Sequence, residues 1–461
     1  MEDEELAESL FVAQQPGNIR IISNGVGSND TSASASGVTV VLLLSAFVTA
    51  CSAFTGGFVV GYSAPAESGI LADLGLSTAE YSVFGSTMTI GGMIGAVISG
   101  KLADIIGRKN TMWILDIFYI MGWLAIYFAK GAWLLDLGRL SLGFGFGLTC
   151  FVAPTYLSEI TPKILRGGFT SVTMAMIPFS LTVAYLIGSV VNWRALALIG
   201  AIPCLLLLFG LFFIPESPRW LAKIGREMEF EAALQRLRGK NVNTSEEAAD
   251  IKDYTENIQQ ISEDKILHLF QQKYAYQLIV GIGLMVLQQF GGLYGFAFYM
   301  DEIFELAGVP SIIGFIVVSI PEIPAIALGS ILIEKFGRRT LLMISATGEC
   351  LGCVLTGLSF LLQVFKASYS LGVGAIPWII ISEIFPINVK GSAGSICNLV
   401  NWFCSLLVSY TFNFLVEWSS AGTFFLYASM SGLGVLFTAK LVPETRWRTL
   451  EEIQASLITH S

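Results

Sequence analysis

Four short stretches of this 461-residue chain set acidic and basic side chains at fixed spacing. Asp104 stands four residues before Arg108, and Glu334 four before Arg338. Glu159 stands seven before Arg166, and Glu383 seven before Lys390. Each group follows a long apolar run, so the charges gather where a helix would leave one solvent for another. Their chemistry is electrostatic: ion pairs there can hold neighbouring helix ends together in one state and release them in the next. Catalysis has little to work with. The two histidines, His268 and His460, fall in polar segments, and no nucleophile has a base beside it. The cysteines (Cys51, Cys150, Cys204, Cys350, Cys353, Cys397, Cys404) all lie in apolar runs, which reads as free thiols rather than a disulfide framework. Cys350-x-x-Cys353 has no second ligand pair, so no metal, no cofactor and no enzyme activity are expected. One more carboxylate, Glu322, lies inside an apolar run, where a charge is costly and a functional candidate by default.

Membrane helices must position these groups. The chain is 54% hydrophobic and 13% charged, against about a quarter charged in soluble domains. Twelve runs approach the roughly 20 residues needed to cross a bilayer. They lie at 39–62, 81–100, 111–129, 134–156, 167–191, 195–214, 276–299, 311–333, 341–365, 367–385, 392–416 and 422–441. Each must be helical, because hydrocarbon offers backbone groups no hydrogen bonds. The expectation is an all-α membrane protein of twelve spans in two pseudo-symmetric six-helix halves, with the tenth span shortened. Its parts are a tail at 1–38, a first half at 39–214, a central loop at 215–275, a second half at 276–441 and a tail at 442–461. With both termini in the cytoplasm, all but four of the 26 Lys and Arg lie on that side; the four are Lys130, Arg139, Arg194 and Lys366. The acidic segment Met1–Gly37 does not resemble a cleavable signal peptide, so the first span is expected to direct insertion. The sequons at Asn29 and Asn243 would then stay inside and unmodified. In the central loop, Arg226–Arg238 reads as a short amphipathic helix on the cytoplasmic face. No basic patch with interleaved aromatics points to nucleic acid. The lipid bilayer is the expected partner surface.

The charged motifs recur between the halves. Gly100-Lys-Leu-Ala-Asp104-Ile-Ile-Gly107-Arg108-Lys109 is matched by Ser330-Ile-Leu-Ile-Glu334-Lys-Phe-Gly337-Arg338-Arg339, 230 residues on. Glu159-Ile-Thr-Pro162 is matched by Glu383-Ile-Phe-Pro386 at an offset of 224. Paired motifs in matching loops imply a duplicated six-helix unit, the build of many secondary transporters. A simpler reading makes the loops mere topology signals, but topology needs no acids. Gating by Asp104, Arg108, Glu159, Arg166, Glu334, Arg338, Glu383 and Lys390 accounts for both signs.

From about Ser45 to Gln454 these residues resemble the sugar porter family of the major facilitator superfamily. Arg139-x-x-x-Gly143-x-Gly145-x-Gly147, Pro215-Glu-Ser-Pro-Arg-Trp220, Gln288-Gln289, Pro377-Trp378 and Pro443-Glu444-Thr445 carry the resemblance. The glycine run follows no strand, so a dinucleotide fingerprint fails. Gly61-Tyr-Ser-Ala-Pro65, Ser382–Gly391 and Ser409-Tyr-Thr-Phe-Asn-Phe414 look like the plant early-responsive-to-dehydration-like branch.

The resemblance implies a sugar site at Gln288, Gln289, Trp378 and Asn401; the residues themselves add Trp402, more weakly, and Tyr294 as a further contact. Amides suit hydroxyls because they donate and accept without a charge to desolvate, and a ring suits the sugar's apolar face. Helix–helix hydrogen bonding for the amides and core packing for Trp378 are the alternatives. Three departures stand out. Met174 occupies a position where the family usually has glutamine. Tyr294 replaces an asparagine, keeping a hydroxyl and a ring. The connection from Phe365 to Tyr369 is about twenty residues shorter than the family's. The family's proton-driven members carry an Asp in the first span; here the aligned position is near Val59. Facilitated diffusion of hexose-like monosaccharides by alternating access is therefore expected. The alternatives are proton symport through Glu322, or a sugar-sensing or non-transporting shortened isoform. The plasma membrane and the vacuolar membrane both remain open; Leu6–Phe11 weakly resembles an acidic sorting signal.

Overall fold

The computed structural model describes residues 39–162, 165–239, 242–260, 272–306, 308–359, 368–385 and 387–444. The described residues form helices and no strand. The first set comprises α1 (Val40–Gly61), α2 (Ser63–Leu74), α3 (Thr78–Ile106), α4 (Arg108–Tyr127), α5 (Ala132–Ile160), α6 (Arg166–Gly188) and α7 (Trp193–Leu211). Three short helices connect: α8 (Pro218–Lys223), α9 (Glu227–Arg238) and α10 (Ser245–Gln260). The second set is α11 (Gln272–Phe290), α12 (Leu293–Phe298), α13 (Met300–Leu306), α14 (Ser311–Phe336), α15 (Arg338–Ser359), a π-helical stretch Tyr369–Val373, α16 (Ile376–Ile384), α17 (Ile387–Trp418) and α18 (Ser420–Leu441).

Eight helical stretches among the described residues are long and apolar enough to cross a membrane, and Ala175–Gly188 and Tyr369–Ile381 are shorter apolar helices. Helices also occupy the expected third and ninth positions, as α4 and α15. The first expected span, 39–62, is helical as α1; α2 follows beyond Tyr62, whose backbone stays helical (φ −62°, ψ −36°) and whose hydroxyl donates to the Trp193 carbonyl at 3.0 Å. The seventh expected span is broken rather than continuous: it is interrupted at Gly291-Gly292, where Gly292 has φ +96°. An unbroken apolar run hides such kinks, because tertiary contacts re-satisfy the freed backbone groups.

Caps start several helices. Ser77 and Glu80 form a reciprocal capping box on α3, and Thr39, Asn192 and Ser419 accept backbone N–H groups at α1, α7 and α18. Between α3 and α5 the packing is glycine against backbone. A methyl on Gly143 would strike the Met88 carbonyl, on Gly147 the Gly92 carbonyl, and on Gly91 the Leu140 carbonyl. Small residues let membrane helices approach this closely, where dispersion rather than hydrophobicity holds them. This is the work of the glycine run in α5. The amphipathic stretch expected at Arg226–Arg238 is helical as α9 and buries Phe230, Leu234 and Leu237. It is tied to the bundle by the Thr39 hydroxyl, which donates to the Leu237 carbonyl at 2.7 Å, and by Arg238, which donates to the Ile160 carbonyl at 2.8 Å.

Gly143→Val is expected to lower the thermal midpoint of the purified protein sharply, by roughly 1–3 kcal/mol or more of overpacking strain. Gly394→Val, at a glycine with open space around it, is expected to leave the midpoint nearly unchanged. Equal midpoints for the two variants would contradict backbone contact between α3 and α5.

Candidate functional site

At one end of the bundle, Gly107 (φ +96°) separates α3 from α4 and lets Arg108 turn inward. Its guanidinium forks onto Glu159, with Nε and Nη2 each 2.9 Å from a carboxylate oxygen. Nη1 lies 3.0 Å from both Asp104 and the Ala103 carbonyl. Glu216 meets the backbone: it accepts the N–H of Arg108 (3.0 Å), Lys109 (3.0 and 3.1 Å) and Ser217 (2.8 Å). A carboxylate there satisfies the orphan donors of the α4 N-terminus and meets the positive end of its dipole. Burial raises the Glu216 carboxyl above its ordinary range, and the N–H bonds from Ser217, Lys109 and Arg108 work against that rise. Ser217 donates to Glu159 at 2.5 Å, and Lys223 reaches Asp104 at 3.1 Å.

The second set repeats the arrangement. Gly337 (φ +85°) precedes α15, Arg338 Nη2 lies 3.3 Å from Glu383, and Glu444 accepts the N–H of Arg338 (3.0 Å) and Arg339 (3.2 Å). Of the expected gating residues, Asp104, Arg108, Glu159, Arg338 and Glu383 are thus brought together in two matched clusters. The side chains of Arg166, Glu334 and Lys390 lie outside the described residues. Glu216 and Glu444 were missed as cluster members. The available signal was a Pro-Glu pair just after the last helix of each set, at Pro215-Glu216 and Pro443-Glu444.

Midway along the bundle, Gln288 and Gln289 end α11 just before the Gly291-Gly292 break. Gln288 donates to the Val373 (2.8 Å) and Gly374 (3.0 Å) carbonyls beside α16, and Gln289 donates to Asn401 of α17 at 2.5 Å. Both glutamine carbonyl oxygens are buried without a partner among the described residues. The amides therefore pin three segments together and still hold two free acceptors. Tyr294, just past the Gly291-Gly292 break, and Trp402, next to Asn401 on α17, have ring centroids 6.4 Å apart, and the Trp402 indole N–H is also unpartnered among the described residues. Trp402 packs edge-on against Phe146 of the first set at 5.6 Å and leaves no room for a side chain at Gly92. Trp378 stands apart: it lies one turn beyond Gly374 on α16 and is 36% exposed. Met174 lies on α6, with its side chain outside the described residues.

Charged groups are also buried elsewhere in the bundle. Glu322 of α14 accepts a 2.8 Å hydrogen bond from Thr182 of α6 and a 3.5 Å one from Ser370. Arg139 of α5 is fully buried and donates from Nη1 to the Val59 carbonyl at 2.7 Å. Asp116 of α4 and Glu349 of α15 are buried as well, and Glu349 fills the space beside Gly291. The sequence reading passed over these last two, although an acid inside an apolar helix is itself a signal.

The two ends of the bundle differ. Among the described residues, every ion pair joins residues of one set or of its connecting segment. Toward the end away from Arg108 the sets meet each other. Asn413 donates to Ser82 at 3.3 Å, Tyr185 to the Ala297 carbonyl at 2.9 Å, and Tyr81 faces Tyr299 at 6.3 Å.

A family model described as "Sugar (and other) transporter" matches residues 32–457. Sugar transporter ERD6-like 16 of Arabidopsis thaliana is 50% identical over 437 residues, covering 91% of this chain and 91% of the relative. Sugar transporter ERD6-like 7 of the same plant is 48% identical over 433 residues, covering 90% and 94%. Among solved structures, the inward-open xylose transporter XylE from E. coli superposes with a TM-score of 0.77 at 23% identity, over 90% of this chain and 99% of that one. The proton:xylose symporter XylE bound to 6-bromo-6-deoxy-D-glucose gives 0.76 at 23% identity, over 91% and 100%. These structures share the fold.

Glu216→Ala is expected to destabilise the protein by about 1–3 kcal/mol, because backbone donors lose their acceptor. Glu216→Gln, whose amide oxygen still accepts, is expected to lose less. Thermal unfolding in detergent checks the order, and an Ala variant as stable as wild type would contradict the capping role.

Proposed function

This chain belongs to the sugar (and other) transporter family, and from that premise we propose that it carries hexose-like monosaccharides down their gradient by alternating access. It is a sugar transporter of the major facilitator superfamily and not an enzyme, as its relatives are. In the proposed topology twelve spans form two halves, both termini lie in the cytoplasm, and the Arg108 and Arg338 clusters form the cytoplasmic gate. The membrane is the plasma membrane or that of the vacuole.

The observation that carries the reading is the pair of unpartnered amide oxygens at Gln288 and Gln289, beside Asn401, Tyr294 and Trp402. Buried acceptors without donors are costly, and a polyol hydroxyl supplies the missing donor. Trp378 is assigned as a further platform, brought over the sugar when α16 moves.

Diffusion without a proton rests on Val59 and Arg139. XylE is described as a proton:xylose symporter, and proton-driven relatives need an acid that ionises as the cycle turns. Here the Arg139 guanidinium meets a backbone carbonyl, which cannot ionise. One observation favours symport as a second reading: Glu322 takes its 2.8 Å hydrogen bond from the opposite half. A carboxylate bridging the halves is placed to link protonation to their movement.

Radiolabelled hexose uptake into a transport-deficient host, with surface abundance measured in parallel, tests the site. Gln288→Ala and Trp378→Ala are expected to reduce uptake roughly ten- to a hundredfold at low sugar, the effect of losing ~1–3 kcal/mol of contacts, while abundance holds. Parallel losses of uptake and abundance would mean that these side chains only pack. Glu322→Gln, which keeps the hydrogen-bond geometry but cannot ionise, is expected to retain uptake. Loss of uptake in Glu322→Gln at normal abundance would favour the symport reading.

A further inference from the structure

Arg139 is a cation at membrane depth with no carboxylate against it among the described residues. Its Nε and Nη2 groups have no hydrogen-bond partner there, and none of its surface is exposed. Besides the Val59 carbonyl, its surroundings are aromatic faces. Its Cζ lies 4.8 Å from the ring centroid of Phe84, 5.8 Å from Tyr62 and 5.7 Å from Phe298. Tyr62 and Phe84 belong to the same half as Arg139. Phe298, on α12, belongs to the other half. The cage is therefore complete only when the two halves meet at the end of the bundle away from Arg108.

We propose that Arg139 and Phe298 form the latch of the outer gate: the Phe298 ring closes over the guanidinium when that gate shuts and withdraws to admit water when it opens. The inference rests on the alternating-access reading.

Two terms of opposite sign make this a latch with a spring. Shutting the gate strips water from the guanidinium, at a cost only partly offset by one carbonyl bond, since Nε and Nη2 find no acceptor. This term pushes the gate open. The Phe298 face attracts the dehydrated cation through the ring quadrupole, an attraction that strengthens once water is excluded. This term holds the gate shut and exists only in the shut state. A neutral side chain at 139 removes both terms, and a non-aromatic side chain at 298 removes only the second. No proton enters the account, because guanidinium stays protonated throughout.

The test is accessibility of a residue covered only while the gate is shut. Ser82 is fully buried and faces Asn413 of the opposite half. A Ser82→Cys chain, purified into nanodiscs, would be treated with a water-soluble maleimide, and labelling of the chain without that change subtracted. Adding Phe298→Leu, which keeps apolar bulk but offers no ring face, is expected to raise the labelling rate about fivefold, the ratio that ~1 kcal/mol of lost cation–π attraction corresponds to. Phe298→Tyr, which keeps the face, is expected to label like the parent. With Arg139→Met in the background, Phe298→Leu is expected to change nothing further. Should Arg139→Met yield no folded protein, the contrast between Leu and Tyr at 298 decides alone. Equal rates for Phe, Tyr and Leu, or the same Leu effect with and without Arg139, overturn the latch while leaving transport intact. Labelling that never occurs in any chain contradicts alternating access itself, and the latch with it.

Discussion

Hydrocarbon offers a polar group no hydrogen bond, so every donor, acceptor and charge at bilayer depth must find its partner inside the protein. That constraint decides where this bundle is rigid and where it can move. The N-terminus of α4 is held by Glu216 and that of α15 by Glu444, each accepting backbone N–H groups that would otherwise be orphaned. Hydroxyls inside the helices turn back on carbonyls of the preceding turn, as at Ser45, Thr49 and Thr55 of α1. Where no polar bond is available, as between α3 and α5, glycines bring backbones into direct contact. Among the described residues, the buried side-chain groups left without a hydrogen-bond partner include the Gln288 and Gln289 oxygens, two nitrogens of Arg139, both Asp116 oxygens and the Trp402 indole N–H.

The same constraint separates the two ends of the molecule. Around Arg108 and Arg338 the charges are strong, but each cluster is internal to its own set of helices, and a bond inside one set does not resist separation from the other. Toward the far end the described links between sets include the Asn413–Ser82 and Tyr185–Ala297 hydrogen bonds, the Thr182–Glu322 bond, the Arg139 guanidinium over Phe298 and facing aromatic rings. Trp402 against Phe146 marks the level between these regimes.

Much of this was legible in the sequence, and what was not has physical causes. Apolar run length led to the helices, and the recurring charged motifs led to residues of both clusters, Asp104, Arg108 and Glu159 in one and Arg338 and Glu383 in the other; that Glu159 pairs with Arg108 needed the structure. Glu216 and Glu444 escaped notice as members of the charged clusters because their partners are backbone N–H groups, which almost every residue carries. The break at Gly292 interrupts an apolar run without changing its composition, so only the structure reveals it. Arg139 read as a stray exception to the charge asymmetry; its aromatic cage draws on helices far apart in sequence. Asp116 and Glu349 were visible as acids in apolar helices and were passed over. The amides were found by resemblance, but their division of labour, with donors spent on neighbouring helices and acceptors left free, needs coordinates. Arg166, Glu334 and Lys390 belong to the expected gate by spacing alone.

The central claim is that free amide acceptors bind a sugar that then crosses without a proton. Sealed liposomes holding the purified chain, given labelled hexose outside with and without an imposed inward proton gradient, test it most directly. Equal initial rates in the two conditions, with an internal concentration that rises only to the external one, are predicted. Accumulation above the external concentration that appears only when the inward proton gradient is imposed would contradict the claim.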